Sequence, residues 1–233
     1  MALPKLEALK YQLEIPSTGE IIEYRPFLVS EEKILLMAHE TGTQAATISA
    51  LKDIVKACTF NKIDLYSLTM YDLEYIFLNL RAKSVGETAS INIKCSECDE
   101  YVPVKINLSD VKVRTKDKNL NNKVELTDTI GVTLKAPGLK EMERVSRSKN
   151  SSPIFDAISS VIENIYDENQ IYPLVDATPK EVEAFIDSLN HKQLEKIQAW
   201  SEKMPRLEHN IEFTCKNGHV NKRTLTGLND FFA

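Results

Sequence analysis

The chain has 233 residues, 42% of them hydrophobic and 27% charged, with a formal charge of −5. That is an ordinary globular composition, long enough for one or two cores. No run approaches the ~20 apolar residues that a membrane-spanning helix needs, and mild acidity disfavours general nucleic-acid binding. The first residues, Met-Ala-Leu-Pro-Lys, lack the apolar core of a secretory signal, so a cytoplasm is the expected compartment.

The chain opens on two alternating stretches, 10–15 and 20–25, around Pro16-Ser-Thr-Gly19, which predicts a β-hairpin. Arg25-Pro26-Phe27 ends it. Ser30 is the expected N-cap of a first helix, with Ile34, Leu35, Met37 and Ala38 as its apolar side and Gly42 as its stop. Residues 44–58 repeat apolar positions at helical spacing. Thr69, with Asp72 three positions on, opens a third helix that Gly86 terminates.

Strands follow at about 87–95 and 101–107, then a polar exposed loop from Arg114 to Lys123, then a second pair at 123–127 and 130–136. Leu139–Arg147 reads as a short amphipathic helix. Pro153 starts a helix expected to run to about Tyr166, with Ile162 and Ile165 facing inward. An extended piece at 170–175 precedes Thr178-Pro179-Lys180-Glu181, a capping box with proline at the first helical position. Asn190 caps a further helix to about Met204, and alternating strands close the chain.

The chemistry concentrates in two strand–turn–strand knuckles. One carries Cys95-Ser-Glu-Cys98, the other Cys215-Lys-Asn-Gly-His219. Together they supply Cys95, Cys98, Cys215 and His219, a complete Cys3His set of the closed, structural zinc type, with no position left open for catalysis. Gly218 suits the tight second turn. Two rivals stand beside this reading: unrelated thiols on surface hairpins, and a redox pair. A redox Cys-x-x-Cys sits at the start of a helix, whereas Tyr101-Val-Pro-Val104 alternates like a strand. Asp99 and Glu100 are also expected to raise the Cys98 pKa, the wrong direction for a nucleophile.

Cys58 lies among apolar helix residues and is expected to be a buried, inert thiol. His39 is expected at a helix C-terminus, and His191 and His209 in solvent, with a place behind the metal ligands as the alternative for His209. Lys112, Arg114, Lys116, Lys118, Lys123 and Lys135 form a candidate basic patch whose plainer reading is a solvated loop. No Gly-rich phosphate loop and no nucleophile–base–orienter set is present, so no catalytic residue is assigned.

Two stretches carry a family resemblance. They are Ile15–Ala38, containing Tyr24-Arg-Pro-Phe-Leu-Val-Ser-Glu-Glu, and Asp72–Glu87, containing Tyr75-Ile-Phe-Leu-Asn-Leu-Arg-Ala-Lys-Ser, which runs into the first knuckle. They resemble the baseplate proteins of T4-like contractile-tailed phages, which include hub subunits and hub assembly factors. The resemblance implies a non-enzymatic role in building the baseplate hub, other baseplate and tail proteins as partners, and residence in the host cytoplasm during assembly or in the virion tail. Arg25, Phe27, Arg81 and Lys83 are the motif residues expected to touch a partner, unless Arg25 pairs with an acid of the first helix and Phe27 joins the core. A zinc-ribbon-like nucleic-acid-binding regulator is the alternative.

The expected architecture is α+β: helical lobes around a small β module of hairpins pinned by the Cys3His site. It is read as one unit over 1–233. The sub-regions are a hairpin to 28, helices over 29–86, β with the first knuckle over 87–137, helices over 138–205, and β with the second knuckle over 206–233.

Overall fold

A computed structural model of the chain describes residues 8–115, 117, 120–147 and 152–232, with the side chains at 39, 44, 147, 153, 229 and 232 outside that set. The fold is mixed α and β. It divides into two compact units: 1–114 with 206–233, and 115–205. Along the chain, the second is therefore an insertion in the first.

The first unit begins with the hairpin of β1 (Tyr11–Glu14) and β2 (Ile21–Tyr24), closed by Gly19 at φ +72°. Helices α1 (Val29–Thr41), α2 (Gln44–Cys58) and α3 (Met70–Ser84) follow. Helix α1 starts one residue before the expected cap at Ser30. Its opening is held by Glu31, whose carboxylate accepts from the Leu28 N–H at 2.6 Å while pairing with Arg25 at 2.9 Å. A charged side chain fixed from outside the helix thus replaces the serine cap. The expected apolar side also splits. Leu35 and Ala38 are half-buried, while Ile34 and Met37 are exposed. Helix α3 has its predicted capping box, and Asp72 within it is fully buried.

Strands β3 (Thr88–Lys94) and β4 (Tyr101–Asn107) form a two-stranded sheet with Ile93 opposite Val102. Strict alternation puts Ala89, Ile91 and Ile93 inside. Strand β5 (Lys112–Arg114) ends this segment.

The second unit holds β6 (Lys123–Glu125), β7 (Gly131–Leu134), α4 (Leu139–Arg147), α5 (Pro153–Val161), β8 (Ile162–Tyr166), β9 (Ile171–Pro173), α6 (Pro179–Asp187) and α7 (His191–Ser201). The strands make one antiparallel sheet in the order β6-β7-β8-β9. Here the sequence expectation fails. The helix predicted to reach Tyr166 stops at Val161, and Ile162–Tyr166 is a strand with Ile165 opposite Val132. Apolar residues at 158, 161, 162 and 165 satisfy a helical period. Yet Val161, Ile162, Ile165 and Tyr166 are also good strand formers, and the open edge of β7 decides between the two. The core joins Val132, Leu134, Ile158, Ile162, Val182, Ile197 and Trp200. The Trp200 indole N–H donates to the Asn121 carbonyl at 2.9 Å.

The chain then returns to the first unit as β10 (Arg206–Thr214), β11 (Val220–Thr226) and α8 (Gly227–Phe232). Strand β10 lies between β11 and β5, with Leu207 opposite Val113. Leu207, Phe213, Leu225 and Phe231 pack with Ile91, Ile93 and Ile106 of the other hairpin and with Leu78 of α3. Two hairpins far apart in sequence thus share one core, and their turns meet.

Candidate metal centre

Each knuckle is built by backbone geometry. In the first, the Cys95 N–H donates to the Glu100 carbonyl at 2.8 Å and the Asp99 N–H to the Cys95 carbonyl at 3.2 Å, with Asp99 left-handed at φ +59°. In the second, the Cys215 N–H donates to the His219 carbonyl at 3.1 Å and the Gly218 N–H to the Cys215 carbonyl at 2.9 Å, with Gly218 at φ +84°. The tight turns aim successive side chains at one point and leave amides free for the sulfurs. The Glu97 and Cys98 amides reach Cys95, and the Glu100 amide reaches Cys98.

All four expected ligands converge. Cys95 Sγ, Cys98 Sγ, Cys215 Sγ and a His219 ring nitrogen all lie within 4.8 Å of one another. The Cys98–Cys215 sulfur separation is 3.8 Å, and His219 Nδ1 is 3.4 Å from Cys215 Sγ and 3.9 Å from Cys95 Sγ. A tetrahedral ion with Zn–S bonds of about 2.3 Å and a Zn–N bond of about 2.0 Å sets its ligand–ligand edges at about 3.5–3.8 Å. The donor set and its spacing therefore fit a metal ion of the zinc class. No disulfide joins the three thiols, each of which is free.

The electrostatics favour thiolates at two positions. Burial pushes the Cys95 thiol up, but the Glu97 amide, the Asn221 side chain and the Cys98 amide outweigh it and bring the pKa to about 6. Cys98 is lowered by the Glu100 amide, the Asn217 side chain and His219. This corrects the expectation that Asp99 and Glu100 raise it: Asp99 pairs with Lys94 at 2.9 Å and Glu100 with Lys216 at 3.3 Å. Cys215 is raised, chiefly by burial. His219 is raised by Cys98 and Cys95.

One residue of the site was invisible to motif reading. Asn221, buried on β11, donates from Nδ2 to Cys95 Sγ at 3.3 Å and to the His219 carbonyl at 3.1 Å. Its Oδ1 accepts from the Ser96 N–H at 3.0 Å and the Ser96 hydroxyl at 2.9 Å. It joins the knuckles directly and orients a ligand from behind, as outer partners of metal sites do. Its one sequence signal is an inward position two residues after His219.

The remaining candidates take plainer roles. His209 sits opposite Leu225 in the β10–β11 ladder, six residues and roughly 20 Å of strand from Cys215, so it does not reach the ligands. His191 contacts Glu195 at 3.3 Å on an exposed helix face, and the side chain of His39 lies outside the described set. Cys58 is fully buried, its thiol pushed up to about 11 by that burial. Arg25 pairs with Glu31, Arg81 donates to the Gly86 carbonyl at 3.0 Å, and Lys83 pairs with Glu87 at 2.6 Å. Of the basic patch, Lys112 and Arg114 are exposed on β5, Lys135 pairs with Glu141, and Lys116 and Lys118 lie outside the described residues. Among the described residues no helix is long and apolar enough to cross a membrane.

Comparison with known proteins bears on the whole chain. The sequence model of the family described as T4 bacteriophage base plate protein matches residues 8–233. The baseplate hub assembly protein gp26 of Enterobacteria phage T4 is 23% identical over 224 residues, covering 96% of this chain and 98% of that protein. No solved structure matches the chain.

Proposed function

The chain belongs to the T4 bacteriophage base plate protein family, and from that membership we propose that it is a structural or assembly protein of the phage tail baseplate hub. The observation that carries this is the end-to-end match to a hub assembly protein, with 96% and 98% of the two chains covered. The role is non-enzymatic and works through contacts with other baseplate proteins, in the host cytoplasm during assembly or within the tail. A site in which four protein ligands fill a tetrahedron has no place for substrate, which fits a structural part.

In this reading Cys95, Cys98, Cys215 and His219 hold one structural zinc ion, and the small β module is zinc-ribbon-like. The ion neutralises the thiolates and ties the first knuckle to the second. Asn221 and the turn amides hold the sulfurs in place by hydrogen bonds. Pinned in this way, the two hairpins keep a fixed surface for a partner.

The test is reconstitution. Cells infected with phage lacking this protein should accumulate hub intermediates rather than complete baseplates, and tagged protein should co-purify with other hub components. Normal baseplates in its absence would overturn the proposal.

A further inference from the structure

Helix α1 is apolar on two opposite sides. One side, with Glu31, Leu35 and Ala38, turns inward, and α1 packs against α2. The other carries Val29, Lys33, Leu36, Met37 and Glu40, all exposed, with Val29 and Met37 each 67% and Leu36 58% accessible. These positions fall at i, i+4, i+7, i+8 and i+11, a single stripe along the helix. Three large apolar side chains in one such stripe, facing solvent, mark a contact surface rather than scattered exposure.

The charges name the occupant. Lys33 and Glu40 flank Leu36 and Met37 symmetrically, each three residues from the nearer apolar one. They are seven residues apart, about 10 Å along the axis, too far to pair with each other. Among the described residues neither has an ion-pair partner within the chain. The stripe is its own complement. Laid antiparallel on a second copy about a two-fold axis between Leu36 and Met37, it sets Leu36 against the partner's Met37 and Lys33 against the partner's Glu40, twice over. A closed isologous pair needs this self-matching pattern, and an unrelated basic or acidic partner would satisfy only one end of it.

We infer that this face of α1 docks a second copy of the chain in an antiparallel helix pair, making the protein a homodimer. One helix stripe on each side covers less than the roughly 1,200 Å² at the lower end of standard interfaces, so the dimer is weak.

Sedimentation of the full-length protein over a concentration series tests this. Wild type should shift from monomer to dimer. Lys33→Glu and Glu40→Lys should each weaken association by about tenfold, because each sets two like-charge contacts across the axis. The double reversal should restore association to within about twofold. Leu36→Asp and Met37→Asp should abolish it, with unchanged circular dichroism since both residues are exposed. A monomer at every concentration would overturn the inference. So would a dimer indifferent to Leu36→Asp and Met37→Asp, or a double reversal no better than the single ones.

Discussion

The carboxylate of Asp72, at the start of α3, accepts a hydrogen bond at 3.0 Å from the backbone N–H of Ser17, in the β1–β2 turn 55 positions earlier. The other oxygen accepts from the N–H of Thr69 at 3.0 Å and from its hydroxyl. One fully buried acid thus caps a helix and clamps a hairpin onto it. Asp72→Ala should lower stability by about 2–4 kcal/mol, from the lost cap and the buried amides left without an acceptor. Urea unfolding checks this, and Asp72→Asn should cost less because the amide oxygen can still serve one donor.

The metal centre makes a stoichiometric claim. Purified protein should carry about one zinc per chain by elemental analysis. Cys215→Ser should lose the metal and destabilise the fold, since the binding free energy of such sites is folding free energy. A strong chelator should raise hydrogen exchange first in β3, β4, β10 and β11, leaving α2 and α3 protected. Metal-free protein of full stability would contradict the claim.

Asn221 has a separate signature. Asn221→Ala removes the donor to Cys95 Sγ and the acceptor for Ser96 while leaving all four ligands. Zinc affinity, read by competition with a chromophoric chelator, should drop about 10–100-fold. An unchanged affinity would reduce Asn221 to a packing residue.

Glu74 on α3 is pushed up to about 7 by burial, even though the Leu228 N–H of α8 donates to it. The folded protein therefore binds a proton that the unfolded chain holds only below the ordinary carboxylate range. The stability that Glu74 contributes is present in full below about 4.5 and is lost as pH rises through about 7. Glu74→Gln should flatten that slope. The informative quantity is the wild-type minus variant difference in urea midpoint across pH 5 to 8, because the other titrating groups are common to both.

In the second unit, Gly131 faces Tyr166 across the β7–β8 ladder. A Cβ at Gly131 would lie 2.2–2.8 Å from the Tyr166 ring and hydroxyl. The ring lies where a side chain would stand. Gly131→Ala should cost about 1–3 kcal/mol by overpacking, checked by thermal unfolding.

What the sequence reveals here tracks how local the determining interaction is. Helix starts at Thr69, Thr178 and Asn190 were legible because each cap and its reciprocal partner lie three residues apart. The four ligands were legible because soft donors at short spacing have few other uses. The strand Ile162–Tyr166 was not, because its hydrogen-bond partners are Gly131–Leu134 and Ile171–Pro173, and only the assembled sheet chooses between its two periods. Asn221 was hidden for a similar reason: its partners Ser96 and Cys95 are 125 and 126 positions away. On α1, spacing showed apolar positions but not which of two faces turns inward.

The insertion of 115–205 within the first unit has a consequence for synthesis. Cys98 and Cys215 are 117 positions apart, with the whole second unit between them. At the usual translation speed of about 5–20 residues per second, Cys98 is synthesised roughly 6–23 s before Cys215. During that interval β3 and β4 lack the strands of the closing hairpin that share their core. The proposed zinc site, drawing on ligands made early and late, can be completed only once translation has passed residue 219.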